Sequence, residues 1–221
     1  MSFFRPRSYH EMREILIKQL KSGGYIRSKA VEEAMRKVDR EIFIPRADPE
    51  KAYEDSPQRI GHGQTISAPH MVAIMCEELK LEAGLNILEI GGGGGYHAAV
   101  VGEMVGEKGL VTSAEIVVEL AERAKENIKK AGLDGRVEVV AGDGVKLAMD
   151  RKKFDRIYLA AAAPDISEIL VKCLNDGGIL LMPVGAKYFS ELTRYKKKGD
   201  DVKVCHLGGC AFVPLTGDYG L

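Results

Sequence analysis

Leu88-Glu89-Ile90-Gly91-Gly92-Gly93-Gly94-Gly95-Tyr96 decides the fold: a short apolar strand runs straight into five consecutive glycines and then into a helix starting near Tyr96. Glycines at a strand-to-helix turn permit positive φ, and the missing Cβ lets a ligand approach the backbone closely. The helix that follows points free N–H groups at whatever sits there. Outward from this loop, residues 86–90, 110–114, 137–141, 154–160 and 178–183 are strand-sized apolar runs. Helical stretches at about 96–105, 117–131 and 166–173 separate most of them. Such alternation predicts parallel crossovers and a sheet covered on both faces. Residues 191–197 and 202–213 flank Lys198-Gly199-Asp200-Asp201 without a helix between, which predicts an antiparallel hairpin at the end of the sheet.

Upstream of the loop the texture differs. Met12, Ile15, Leu16 and Leu20 stand at helical spacing within 9–21, and Gly23-Gly24 ends that run. Ser28 can cap a second helix reaching about Val38. Pro45, Pro49, Pro57, Gly61 and Gly63 break 42–68 into loop with short elements, and Pro69 opens a helix to about Leu79. With 221 residues and 24.1 kDa, the chain holds one α/β domain and a modest appendage. Lys+Arg and Asp+Glu both number 32, and no basic stretch stands out, which argues against a nucleic-acid binder. Cys76, Cys173, Cys205 and Cys210 form no C-x-x-C pair and no histidine pair has zinc-like spacing, so no metal is expected. Scattered thiols, no signal-peptide core and only strand-sized apolar runs predict a cytoplasmic protein with no membrane span.

Two acids extend the reading of the loop. Glu115 stands about 20 residues beyond Gly95, just past the second strand, where a carboxylate can accept hydrogen bonds from both hydroxyls of a ribose. Asp143, in Gly142-Asp143-Gly144 at the end of the third strand, can accept a proton from an exocyclic amine of a base. Three such turns along one sheet edge point to a nucleoside ligand. Gly91-x-Gly93-x-Gly95 fits the loop of S-adenosylmethionine methyltransferases, and Gly93-x-Gly95-x-x-Ala98 fits the permissive loop of nicotinamide-dependent oxidoreductases. The methyl donor is favoured because about 90 residues precede the loop and the sheet closes with a hairpin. No G-x-x-x-x-G-K-[ST] is present, which excludes a P-loop nucleotidase.

From Tyr53 onward further segments carry a resemblance. They are Asp55-Ser56-Pro57-Gln58, the run from Gly63 through Gln64-Thr65-Ile66-Ser67-Ala68-Pro69-His70 to Met71, Ile87–Gly91, Gly142-Asp143-Gly144, Ala161-Ala162-Ala163-Pro164, Gly177-Gly178, Pro183-Val184-Gly185 and Phe212-Val213-Pro214-Leu215. Together they resemble the protein-L-isoaspartate (D-aspartate) O-methyltransferase family, and 64–71 is the most specific part. The resemblance implies a doubly wound, mostly parallel, seven-stranded Rossmann-like sheet with an antiparallel C-terminal hairpin. It divides the chain into a helical N-terminal extension with the substrate and active-site loop (1–80) and an S-adenosylmethionine-binding core (81–221). It implies S-adenosyl-L-methionine as donor and isoaspartyl-containing proteins and peptides as partners of a monomeric chain, with no nucleic acid and no membrane. Ser67 matches the active-site serine. Thr65, Ile66, His70, Glu89, Gly91, Gly93, Gly95, Glu115, Asp143, Gly144 and Thr216 match donor-binding positions. The family loop usually carries Thr or Ser where Gly92 and Gly94 stand, so a hydroxyl near the donor's methionine end is expected to be missing here.

The chemistry implied is methyl transfer from a sulfonium to a free α-carboxylate, which at a pKa of about 4 is ionised at neutral pH and needs no general base. Another methyl acceptor remains the alternative. Ser67 would hydrogen-bond the acceptor, although its place two residues before Pro69 also fits a helix N-cap. The alanines at 160–163 offer neither an amine-holding side chain nor an aromatic face, which weighs against nucleic-acid acceptors. Asp134-Gly135, Asp143-Gly144 and Asp176-Gly177 are succinimide-prone, so the chain is expected to age into its own substrate.

Overall fold

The computed structural model describes residues 7–45, 51–151, 153–186 and 189–220. Helix α1 (Tyr9–Ser22) begins with a capping box in which Ser8 and Glu11 satisfy each other's backbone N–H groups. Helix α2 (Lys29–Lys37) is capped by Ser28, whose hydroxyl accepts from the Val31 N–H. A single 3₁₀ turn (Arg40–Phe43) follows, and then a small antiparallel hairpin of β1 (Gln58–Gly61) and β2 (Gln64–Ile66). Its two-residue turn, His62-Gly63, has φ of 53° and 72°, the left-handed pair that matches the twist of a tight hairpin. Helix α3 (Pro69–Leu79) has the early proline expected at a helix start.

The main sheet contains β3 (Asn86–Ile90), β4 (Leu110–Glu115), β5 (Val137–Ala141), β6 (Phe154–Leu159), β7 (Leu174–Ala186), β8 (Phe189–Lys198) and β9 (Asp201–Cys210), in the order β5-β4-β3-β6-β7-β8-β9. The first five pair in parallel; β7–β8 and β8–β9 are antiparallel, the last closing at Gly199 as the sequence indicates. Helices α4 (Tyr96–Val105), α5 (Val118–Lys130), α6 (Gly144–Arg151) and α7 (Ser167–Lys172) connect the parallel strands. Two differences from the sequence reading stand out. Strand β7 is longer than 178–183, because its register shifts against β6 between Phe154 and Arg156 and pairing resumes. Helix α6 was not expected: it opens on a glycine, a poor helix former, at a place where a Cβ would come within 2.8 Å of Ile90.

Alternation along each strand sends neighbours to opposite faces. Ile87 joins one hydrophobic cluster with Leu16, Leu20, Met35, Phe43, Met75 and Val101, while Leu88 joins another with Phe154, Ile157, Leu170 and Leu180. The N-terminal helices therefore pack over the sheet face that carries Ile87 and Glu89. Strand order reverses about β3, where β4 lies on one side and β6 on the other. The loops after β3 and β6 diverge there and open a crevice at the carboxyl ends of the strands.

Candidate functional site

Three connected cavities occupy that crevice. The first, about 550 Å³ of empty space, lies along the strand ends between Gly91, Glu115, Asp143 and the segment from Val213 to Thr216. The second, about 350 Å³, lies behind the glycine loop against Ile66, Val72, Glu89, Tyr96 and His97. The third is an open cleft of about 1350 Å³ between Pro57, Gly63, Ser67, His70 and residues 209–214. Thr65 and Ala160 line all three, and Ser67 lines the second and third.

The glycine loop is shaped by what it touches. Gly91, Gly93 and Gly95 have φ of 85°, 55° and 94°, a region where side chains are strained. Gly95 does not face the cavities. It packs against Ala124 and Ile128 of α5, so its smallness serves helix packing. A Cβ on Gly92 would come within 2.0 Å of Ser113 Oγ and 3.0 Å of Glu89 Oε2. The space of the expected loop hydroxyl is thus filled by the hydroxyl of Ser113.

Glu115 fixes the loop from below. Its Oε2 accepts the Gly93 N–H at 2.7 Å and its Oε1 accepts the Val117 N–H at 2.9 Å. Each carboxylate oxygen keeps a lone pair for a hydroxyl in the first cavity. Asp143 caps α6, its Oδ1 accepting from Val145 and Lys146, while Oδ2 lies where a Cβ on Gly217 would come within 2.9 Å. Gly144 and Thr216 line the first cavity beside it.

Glu89, Ser113 and Tyr158 form a row across β4, β3 and β6, because Glu89 is in register with both of the others. Ser113 and Tyr158 donate to the two oxygens of Glu89 at 2.5 and 3.0 Å. Burial pushes this carboxyl up to about 7, and the two hydrogen bonds oppose that shift. His97 stacks beside Tyr158 with ring centroids 4.5 Å apart and meets Cys76 Sγ at 3.6 Å. Burial drives its imidazole down to about 3, so it is neutral, and its Nδ1 has no hydrogen-bond partner among the described residues.

Ser67 is not the cap of α3. Ala68 holds that position with no side-chain bond, and among the described residues the Ser67 hydroxyl has no hydrogen-bond partner. Asp55 serves the helix end instead: its Oδ1 accepts the His70 backbone N–H at 2.8 Å and meets His70 Nδ1 at 2.9 Å. His70 faces the third cavity and neither of the other two, away from where a donor-side contact would sit.

Arg40, absent from the sequence reading, holds these parts together. It is fully buried, donates to the carbonyls of Ala52 and Ser67 at 2.8 and 2.9 Å, and lies 4.6 Å from the centre of the Tyr96 ring. One guanidinium thus ties the serine loop to the residue that follows the glycines. On the other wall, Ala162 pairs with the C-terminal segment through the Ala162 N–H to Val213 O and the Leu215 N–H to Ala162 O, at 2.8 and 2.7 Å. The alanines are small because this segment crosses directly over them.

Residues 11–220 match the family described as Protein-L-isoaspartate(D-aspartate) O-methyltransferase (PCMT). A protein-L-isoaspartate O-methyltransferase of Methanococcus maripaludis strain C7 is 50% identical over 205 residues, 93% of this chain and 96% of its own. One from Methanopyrus kandleri is 48% identical over 213 residues, 96% of this chain and 94% of its own. A solved Plasmodium falciparum structure, described as a beta-aspartate methyltransferase in complex with S-adenosyl-L-homocysteine, superposes with a TM-score of 0.81 at 28% identity, covering 91% of this chain and 96% of that one. These likenesses run across nearly the whole length of a chain whose glycine loop opens on a crevice at the carboxyl ends of its strands: the chain belongs to the protein-L-isoaspartate(D-aspartate) O-methyltransferase family.

Proposed function

We propose that the three cavities divide the work of one reaction. The protein is a repair enzyme that moves a methyl group from S-adenosyl-L-methionine to the free α-carboxylate of L-isoaspartyl residues, leading through a succinimide to normal aspartyl. Family membership removes the nicotinamide alternative.

The residues present fit the donor. The first two cavities share Thr65, Gly91, Gly93 and Ala160 and run from Glu115 and Asp143 to the space behind the glycine loop. Glu115 takes the ribose hydroxyls, and Asp143, Gly144 and Thr216 border the base. The donor's amino-acid end reaches the second cavity, where Thr65, Ile66, Gly91, Gly93 and Glu89 surround it. The orphaned His97 Nδ1 there suits a site that receives a polar group. When bound, the donor supplies a sulfonium methyl.

The acceptor enters the third cavity, made by 57–71 of the N-terminal part (1–80) and by 209–214 of the core (81–221). Among the described residues lining it none is a carboxylate, and this observation carries the reading. An incoming anion meets no like charge there, and it needs no base because it is already ionised. Ser67 donates a hydrogen bond to the acceptor and orients one oxygen toward the junction at Thr65 and Ala160. Alignment, together with an anion and a cation brought together away from water, supplies the rate. His70, held by Asp55, borders the acceptor. All three cavities are lined by residues of one chain, and four free thiols support a reducing, cytoplasmic setting. No helix among the described residues is long and apolar enough to cross a membrane.

The test is incubation with donor and either an isoaspartyl peptide or its normal-aspartyl twin. Methyl ester on the first alone supports the assignment; equal labelling of both, or of neither, refutes it.

A further inference from the structure

The three Asp-Gly bonds are not equivalent in the fold. Asp143 is held by its bonds to the Val145 and Lys146 N–H groups, and Gly144 is packed against Ile90. Asp176 accepts the Gly199 N–H at 2.5 Å. Asp134 and Gly135 stand exposed in the turn between α5 and β5, closed by the Arg136 N–H to Leu133 O at 2.9 Å. Among the described residues, neither the Asp134 carboxyl nor the Gly135 N–H has a hydrogen-bond partner. Nothing lies within 4 Å of where a Gly135 Cβ would stand.

We infer that Asp134-Gly135 is the site at which this enzyme damages itself, and that a second copy methylates the damaged residue. The Gly135 nitrogen attacks the side-chain carbonyl carbon of the protonated Asp134 carboxyl; the amide proton and the carboxyl hydroxyl leave as water, closing a succinimide. Water returns to the ring, and cleavage at the main-chain carbonyl leaves the chain joined through the side chain with a free α-carboxylate. That carboxylate takes the methyl group as the carbon–sulfur bond of the donor breaks and S-adenosyl-L-homocysteine leaves. Attack by the Gly135 nitrogen on the ester then expels methanol and returns the succinimide.

The same chain cannot perform the transfer. Asp134 precedes the N-terminal end of β5, whereas Gly142 and Asp143, at its far end, border the donor cavity. The five residues between span about 17 Å at the strand rise of roughly 3.3 Å per residue. Buried Leu133 and Val137 anchor both sides of the turn. Repair is therefore between molecules.

This rests on the isoaspartyl activity, so a synthetic isoaspartyl peptide runs alongside as a control for that activity. The full-length protein is aged at neutral pH, and peptides spanning each Asp-Gly bond are separated to measure isoaspartate. Fresh enzyme and labelled donor are then added to the aged protein. The expected result is isoaspartate and label concentrated at Asp134, and an at least tenfold loss of both in Gly135→Ala. Open space and an ordinary φ let Gly135→Ala fold normally, while its Cβ shields the nitrogen. With aged protein alone, halving its concentration should cut the initial methylation rate about fourfold. Equal or greater isoaspartate at Asp143 or Asp176, an unchanged Gly135→Ala, or a twofold dilution response overturns the inference. A failed control peptide with isoaspartate still concentrated at Asp134 overturns the methylation half and the functional reading, and leaves the ageing half standing.

Discussion

Replacing Glu89 by Gln should change how stability depends on pH more than it changes stability itself. Glu89 is fully buried at the end of β3, and its carboxyl is pushed from an ordinary 4.5 up to about 7 by loss of water. Below about pH 4.5 the group is protonated in both folded and unfolded chains and has no effect. As pH rises from there, the unfolded chain gives up a proton that the folded chain keeps, and stability falls until about pH 7. From a shift of roughly 2.5 units at about 1.4 kcal/mol each, the loss between pH 5 and pH 8 is about 2–3 kcal/mol. Gln keeps an oxygen for the Tyr158 hydroxyl, and Ser113 can turn its hydroxyl to accept from the amide. Urea titrations of both proteins at several pH values measure the difference. Relative to wild type, Glu89→Gln should gain about 2–3 kcal/mol from pH 5 to pH 8. A difference that stays constant within about 0.5 kcal/mol over that range would refute the reasoning. Donor binding supplies a second reading at pH 6, where the donor's amine is an ammonium and the free Glu89 is mostly protonated. Calorimetry in buffers of different ionisation heat should detect proton release in wild type and none in Glu89→Gln.

Ser67→Ala removes a hydroxyl with no hydrogen-bond partner among the described residues, so unfolding should be unchanged. Its kcat/KM for an isoaspartyl peptide should fall about 10- to 150-fold, the worth of one hydrogen bond to a charged group; undiminished activity would remove Ser67 from the mechanism. Arg40→Lys keeps the charge but not the fork that reaches Ala52 and Ser67, and a urea titration should show a loss of about 2 kcal/mol or more. The same variant should weaken turnover in proportion to the displacement of Ser67, and stability equal to wild type would deny Arg40 its tethering role. Gly92→Thr forces the Ser113 hydroxyl away from Glu89 and should raise the pH at which Glu89 ionises. Adding Ser113→Ala should change little more, because both substitutions remove one bond; additive effects would contradict the crowding.

The strand pattern, the glycine loop and the final hairpin were legible because each has a local signature: short apolar runs alternating with helical stretches, a run of glycines, or a charged turn. Glu115 and Asp143 were legible by their distance from the loop along a regular βαβ repeat. What was not legible depends on register or on packing across distant segments. Ser113, Glu89 and Tyr158 meet only because three strands align at that level, and nothing in the spacing of 89, 113 and 158 announces it. Arg40 reads as one charge at a helix end until the fold closes over it. Ser67 lay one residue from the true cap, and only the backbone at Ala68 separates a capping role from a free hydroxyl. Gly95 and Gly92 look alike in the run of five, yet one yields to a helix and the other to a serine.

The cleft proposed for the acceptor has a character that an isoaspartyl substrate would explain. An isoaspartyl residue can arise in any sequence, and it differs from aspartyl in the path of the main chain and in the placing of one carboxylate. A site that recognised neighbouring side chains would miss most damage, so recognition has to rest on the backbone. Part of the cleft wall is made by Gly63, Ala68, Ala160, Gly209 and Ala211, beside the larger His70, Met71 and Phe212, and there the small or absent side chains leave main-chain groups within reach. Such a wall has little packing of its own to hold it in place. Rigidity comes from behind: Arg40 on the Ser67 carbonyl, Asp55 on the helix that follows, and the bonds between Ala162 and the segment from Val213 to Leu215. Tolerance of sequence at the surface and firmness of the loops beneath it are therefore two sides of one arrangement, in which buried polar groups do what side chains in the cleft do in more selective enzymes.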